Sequence, residues 1–189
     1  MAAGRRRAIE QQFADRARFT RRAFLLLPGV GQRPAYDEYV IAHRIRAAQL
    51  MPELGFSIPT LGQPYPSSSL PPQLLALRVQ DEHPQRLPAL EDALFRAVFV
   101  ALDDVADPTV LRRCAREAEV PEGEVDRALA DPALPPRALR EHEQAIERGI
   151  TGIPAMLVPG QVPLVGAQPL EAYRSALERA LARRRPDGP

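Results

Sequence analysis

The side chains able to do nucleophilic or metal chemistry are few and scattered. There is one cysteine, Cys114. It stands at helical spacing with Val110, Leu111 and Ala118, where a free thiol behaves as a small buried hydrophobe, so Cys114 is read as core. The three histidines, His43, His83 and His142, have no ligand spacing among them. His43 lies on an apolar helical face and is expected to be semi-buried, and no metal site is supported. Asp103, Asp104 and Asp107 have the types of catalytic carboxylates, but their place between two helical runs predicts that they end one helix and cap the next. Ser67, Ser68 and Ser69 are read as a cap for the helix that follows them. One segment is more specific: Gly149-Ile150-Thr151-Gly152-Ile153-Pro154, followed by an apolar run and then Gly166-Ala167-Gln168-Pro169. From spacing alone, Pro154 simply opens a strand with an ordinary trans bond.

The elements that must position these residues follow from the hydrophobic period. Helical spacing is read at 5–17, with Ile9 and Phe13 one turn apart, and at 36–51, where Tyr36, Tyr39, Val40, His43, Ala47, Leu50 and Met51 share an inward face. Between them the apolar run at 24–27 predicts a buried strand, stopped by Pro28-Gly29. Residues 52–69 are rich in Pro, Ser and Gly, a connection long enough to line a groove. Helices are predicted at 71–82, at 88–102 with Leu90, Leu94, Ala97, Val98 and Ala101 inward, from Asp107-Pro108, at 121–130, and from Pro136 to a stop at Gly149. The period then changes. Residues 154–158 and 162–166 read as two strands joined by a Pro159-Gly160 turn, with Pro163 marking an edge or a bulge. A closing helix at 169–184 turns Leu170, Tyr173, Leu177, Ala180 and Leu181 inward. A helical block set between an early strand and a late hairpin predicts an α/β or α+β sheet with a helical lobe.

Composition sets outer bounds. The chain has 189 residues, 45% hydrophobic, 26% charged and a formal net charge of +1. That suits one globular unit with an inserted subdomain. The charge balance leaves no footprint for nucleic acid. Every basic residue other than histidine is arginine, which is read as a coding bias. The 21 prolines fall largely at helix starts and turns. No apolar run is long enough for a spanning helix, and 1–10 lacks the apolar stretch of a secretory signal. A lone cysteine gives no disulfide framework. A cytoplasmic location is the expectation.

The segment Gly149-Ile150-Thr151-Gly152-Ile153-Pro154 with the later Gly166-Ala167-Gln168-Pro169 resembles the C-terminal signature of the DsbA-like branch of the thioredoxin superfamily. Asp92-Ala93-Leu94-Phe95-Arg96-Ala97 and Asp107-Pro108-Thr109-Val110-Leu111 are similar to that family's helical insertion, and Phe24-Leu25-Leu26-Leu27-Pro28 to the end of its second strand. The resemblance covers nearly the whole chain. It implies a thioredoxin-like α/β fold with an inserted all-helical subdomain, divided as 1–35, 36–135 and 136–189. It also implies a cis bond before Pro154 and a substrate groove at Gly152, Ile153 and Pro154, where a peptide pairs in strand-like fashion with the backbone of Ile153.

The family's chemistry resides in a Cys-X-X-Cys motif at a helix N-terminus, where the first thiol is acidified and attacks a disulfide. No cysteine precedes Cys114. Gly4-Arg5-Arg6-Arg7 resembles the continuation of that motif, which sets Met1 near the second cysteine's position and leaves the first strand absent. Two explanations are open. Either the coding sequence starts upstream of Met1, or the chain is a degenerate paralogue whose strands have re-paired. The first is preferred, because an unpaired central strand position costs buried hydrogen bonds. The resemblance therefore implies a disulfide-oxidoreductase family member with no catalytic residue, no cofactor and no dithiol activity in this chain. One alternative is a non-catalytic module binding an extended peptide or a small thiol. The other is an isomerase like those acting on 2-hydroxychromene-2-carboxylate with glutathione. The lack of any Asn weakens a glutathione site. Neither nucleic acid nor membrane is an expected partner.

Overall fold

The computed structural model describes the backbone of residues 2–27 and 35–184 and the side chains of 6–27 and 35–183. The expected turn at Pro28-Gly29 and the placement of Met1 lie outside the described residues. Eight α-helices and one hairpin are present among the described residues: α1 (Ala2–Gln12), α2 (Glu38–Leu50), α3 (Leu70–Glu82), α4 (Leu87–Arg96), α5 (Pro108–Glu117), α6 (Glu124–Ala130), α7 (Leu134–Glu147), β1 (Ala155–Met156), β2 (Leu164–Val165) and α8 (Leu170–Arg184). None of these helices is long and apolar enough to cross a membrane.

The chain divides into two compact units, residues 22–141 and residues 1–21 with 142–189. Segment 22–27 opens the first of these units. Its apolar run at 24–27 was expected to be a strand, and it is not one. No strand lies beside it among the described residues, and two of the segment's amides bond side chains. The Ala23 amide donates to Glu141 Oε2 at 2.7 Å and the Leu27 amide to Ser69 Oγ at 3.0 Å. Both partners belong to the helical unit. Ser69 is thereby lost as a helix cap; Ser68 Oγ instead accepts from the Leu70 amide at 3.1 Å.

The helical unit is built on α3, whose Leu75, Leu77 and Val79 are fully buried against Leu90 of α4, Leu111 and Cys114 of α5 and Ala128 of α6. Expected caps are in place: Asp107 Oδ1 accepts from the Thr109 amide at 2.7 Å, and Asp104 Oδ1 accepts from the Ser67 and Ala106 amides, both at 3.0 Å. These carboxylates are structural.

Two helix faces differ from expectation. Helix α4 runs on as a π-helix, Ala97–Ala101. The wider turn rotates the face, so Ala97 is buried and Ala101 is exposed. On α2, Tyr39, His43 and Leu50 were expected inward and are exposed. The inward stripe is Val40, Arg44 and Ala47, flanked by Tyr36 and Met51, one residue around the helix from the expected one. Arg44 is only 5% exposed. Its Nη1 donates to the Val98 and Phe99 carbonyls at 3.3 and 3.4 Å, its Nη2 to Tyr36 Oη at 3.1 Å, and its guanidinium lies over the Tyr36 and Phe99 rings. The negative end of the π-helix thus compensates a buried cation. Segment 52–69 is stitched to the same helix end through the Ser57 amide to Phe99 O at 3.0 Å and Ser57 Oγ to Val100 O at 2.5 Å.

In the second unit, α8 buries Tyr173, Ala176 and Leu177 against Ile9 of α1, Phe13 just beyond it, and Val158. Helix α1 stops at Gln12, short of the expected 17, but Phe13 still donates to Ile9 O and both side chains are buried. Arg16 forks onto both oxygens of Glu178 at 2.9 and 2.8 Å.

Candidate functional site

The segment singled out by its residue types begins where α7 ends. Gly149 takes φ +80°, a conformation that side chains resist. Its amide donates to Ile146 O and the Ile150 amide to Ala145 O. That double bond pattern is the Schellman stop, and it explains why glycine stands there. The chain then extends. From Thr151 to Leu157 exposure alternates residue by residue, as a pleated strand requires. The Ile153-Pro154 peptide bond is cis.

β1 pairs antiparallel with β2, Ala155 opposite Val165 and Met156 opposite Leu164. One further bond extends the ladder: the Gly166 amide donates to Pro154 O at 2.7 Å. Because narrow and wide pairs alternate, Ala155 and Val165 form a pair that exchanges no hydrogen bonds. The amide and carbonyl of Ala155 therefore point to the far edge of β1. No strand pairs with that edge among the described residues, where the sheet has two strands. The side chains beside it are apolar and outward: Ile153 is 49% exposed, Leu157 is 39% exposed, and Ala155 lies between them, exposed as well. The opposite face, Met156, Val158 and Leu164, packs on α8 residues. The turn joining the strands is as expected, with Gly160 at φ +70° and the Gln161 amide donating to Val158 O at 3.0 Å.

The other candidates lie apart from this edge in chemistry. Cys114 is 1% exposed within the helical unit. Burial pushes its thiol up from the ordinary range, with Arg113 opposing, so it is protonated and shielded. His43 is exposed and its ring lies tilted against that of Tyr39, with centroids 4.1 Å apart. His83 Nε2 sits 3.3 Å from Oε1 of the buried Glu124, and the part-exposed Arg78 and Arg127 also reach that carboxylate at 2.6 and 2.8 Å. Burial opposes the charge on Glu124, but the hydrogen bonds from Arg127, Arg78 and His83 outweigh it and hold the carboxyl at about 2. No group of three or more His, Cys, Asp or Glu fit to hold a metal occurs among the described residues.

Two residues near the edge were missed by sequence reasoning. Tyr173 was read only as an apolar inward position, and Gln168 only as part of a motif. Tyr173 Oη donates to Gly166 O at 3.1 Å and accepts from the Gln168 amide at 3.2 Å; Gln168 Nε2 donates to Val165 O at 2.7 Å. The available signal was that a buried tyrosine needs a partner for its hydroxyl.

Comparison with known proteins bears on the family and the fold. The family described as DSBA-like thioredoxin domain matches residues 2–178. A solved structure described as a "putative protein disulfide isomerase from Nitrosomonas europaea" superposes with a TM-score of 0.75 at 19% identity, covering 96% of this chain and 90% of that one. At that identity the likeness speaks to the fold, a thioredoxin-like one rich in helix. Among curated proteins no match was found.

Proposed function

The chain belongs to the DSBA-like thioredoxin domain family, and from that premise we propose that it binds extended polypeptide along the open edge of β1 and does not itself exchange disulfides. The observation that carries this reading is the Ala155 peptide group. Its donor and acceptor face away from β2, with Ile153 and Leu157 exposed on either side. An extended chain laid against that edge gains main-chain hydrogen bonds from Ala155 and apolar contact from the two flanking side chains. Gly152, Ile153 and Pro154 are the residues that present the edge.

The chemistry of exchange argues for binding alone. A dithiol cycle needs one thiolate to attack a disulfide and a second thiol to release the mixed intermediate. This chain has one cysteine, buried and held protonated. A small thiol is a second ligand of the same edge only through its peptide-like groups.

The test pairs two assays. Insulin reduction by dithiothreitol should proceed at the same rate with and without the protein; robust acceleration contradicts the missing-thiol argument. Fluorescence anisotropy with a labelled apolar peptide should show saturable binding that survives Cys114→Ala. Methylating alternate backbone nitrogens of that peptide should abolish binding in one register and spare it in the other. Binding indifferent to methylation sinks the strand-addition reading.

A further inference from the structure

We infer that Tyr173 is a positioning residue for the β1 edge, its hydroxyl replacing the hydrogen bond that Pro154 is unable to donate; the inference rests on the peptide-binding reading above. Pro154 and Gly166 stand opposite each other at a position of the ladder where both residues normally exchange N–H···O bonds. Proline has no N–H. Only the Gly166 amide bond to Pro154 O is made, at 2.7 Å, and the Gly166 carbonyl is left without its ladder donor. The Tyr173 hydroxyl supplies one at 3.1 Å, assisted by the Gln168 amide at 3.0 Å.

The hydroxyl is held from behind. Its oxygen accepts at 3.2 Å from the same Gln168 amide, whose one hydrogen is shared between the hydroxyl and the Gly166 carbonyl. The Tyr173 ring is 8% exposed and packs among Ile9, Phe13 and Leu177. The ring is fixed by core packing, and the hydroxyl transmits that fixed position to Gly166 and, through the Gly166 amide, to Pro154. Gly166 sits at φ +80°, which disfavours any side chain that could take over the role.

The two edges of the hairpin also differ. Val165, like Ala155, belongs to the pair without mutual bonds, so its carbonyl points outward from β2. There Gln168 Nε2 covers it at 2.7 Å. The Tyr173–Gln168 arrangement thus closes the carbonyl on the β2 side and holds the β1 side in register, which makes β1 the edge open to an incoming strand.

The experiment is Tyr173→Phe, which keeps the ring and removes only the hydroxyl. Amide exchange by NMR should show Gly166 exchanging at least about fivefold faster, with the helix α8 amides unchanged. The anisotropy assay should show peptide affinity reduced about three- to tenfold, and wild-type binding should vary little with salt. In the wild type, the Tyr173 hydroxyl proton should exchange slowly enough to be observed. A hydroxyl proton in fast exchange overturns the inference without recourse to any variant. If wild type binds peptide and Tyr173→Phe binds it equally well, the clamp falls and the binding reading stands. If wild type binds no peptide although the exchange rates change as expected, the binding reading falls and takes the positioning role with it.

Discussion

The Glu141 carboxylate accepts the Ala23 amide at 2.7 Å, joining residues 118 positions apart. The same carboxylate takes Arg22 Nη1 and Arg137 Nε, each at 3.2 Å. Glu141 is 6% exposed. One buried side chain therefore does for the segment 22–27 what a neighbouring strand does elsewhere: it satisfies a main-chain donor away from water.

Glu141→Ala should leave the buried Ala23 amide unpaired and Arg137 with one acceptor fewer. The expected loss is about 2–4 kcal/mol of stability, read from urea unfolding by circular dichroism. The Ala23 amide should lose exchange protection in the same variant. Protection at Ala23 equal to wild type contradicts this role.

Glu124 gives the molecule a pH dependence whose sign can be worked out. Its carboxyl titrates near its ordinary value of 4.5 when unfolded and is held at about 2 when folded. The unfolded chain therefore binds the proton first as pH falls, and the contribution of Glu124 is complete above about 4.5 and lost between there and about 2. Thermal unfolding across that window should fall steeply in wild type. In Glu124→Gln it should start lower at neutral pH and fall less across the same window. Parallel curves for the two proteins refute the assignment.

Arg44 closes the end of the π-helix from within the helical unit. Arg44→Lys keeps a charge but cannot reach both Tyr36 Oη and the two carbonyls. A loss of about 1–3 kcal/mol is expected, with a weakened near-ultraviolet signal from Tyr36 and Phe99. Arg44→Met should cost no more than the lysine variant, because it removes the buried charge along with its bonds. A lysine variant as stable as wild type would mean that the guanidinium contacts contribute nothing.

Cys114 is buried and protonated, so it should be inert. With Ellman's reagent the folded protein should release less than about a tenth of an equivalent of thiolate over an hour, and one full equivalent in guanidinium. Cys114→Ala should cost about 1 kcal/mol through a small cavity. Rapid labelling of the folded protein would place the thiol at the surface and reopen a redox role.

Much of this architecture is legible in residue order. Period and punctuation alone locate most helices, the hairpin with its Pro159-Gly160 turn, the glycine stop after α7 and the inward position of Cys114. These are local: a helix stop or a turn depends on the φ angles that neighbouring residues tolerate. What only the tertiary structure decided depends on partners distant in sequence. An apolar run such as 24–27 becomes a strand only if another strand lies beside it, and here Glu141 and Ser69 took that place. Arg44 could turn inward only because a helix end and two rings, from residues 36 and 98–99, met it there. Whether the Tyr173 hydroxyl mattered was set by a proline 19 positions earlier that left a carbonyl unpaired. Hydrogen-bond demand is written in each residue; which atom meets it is settled by the fold.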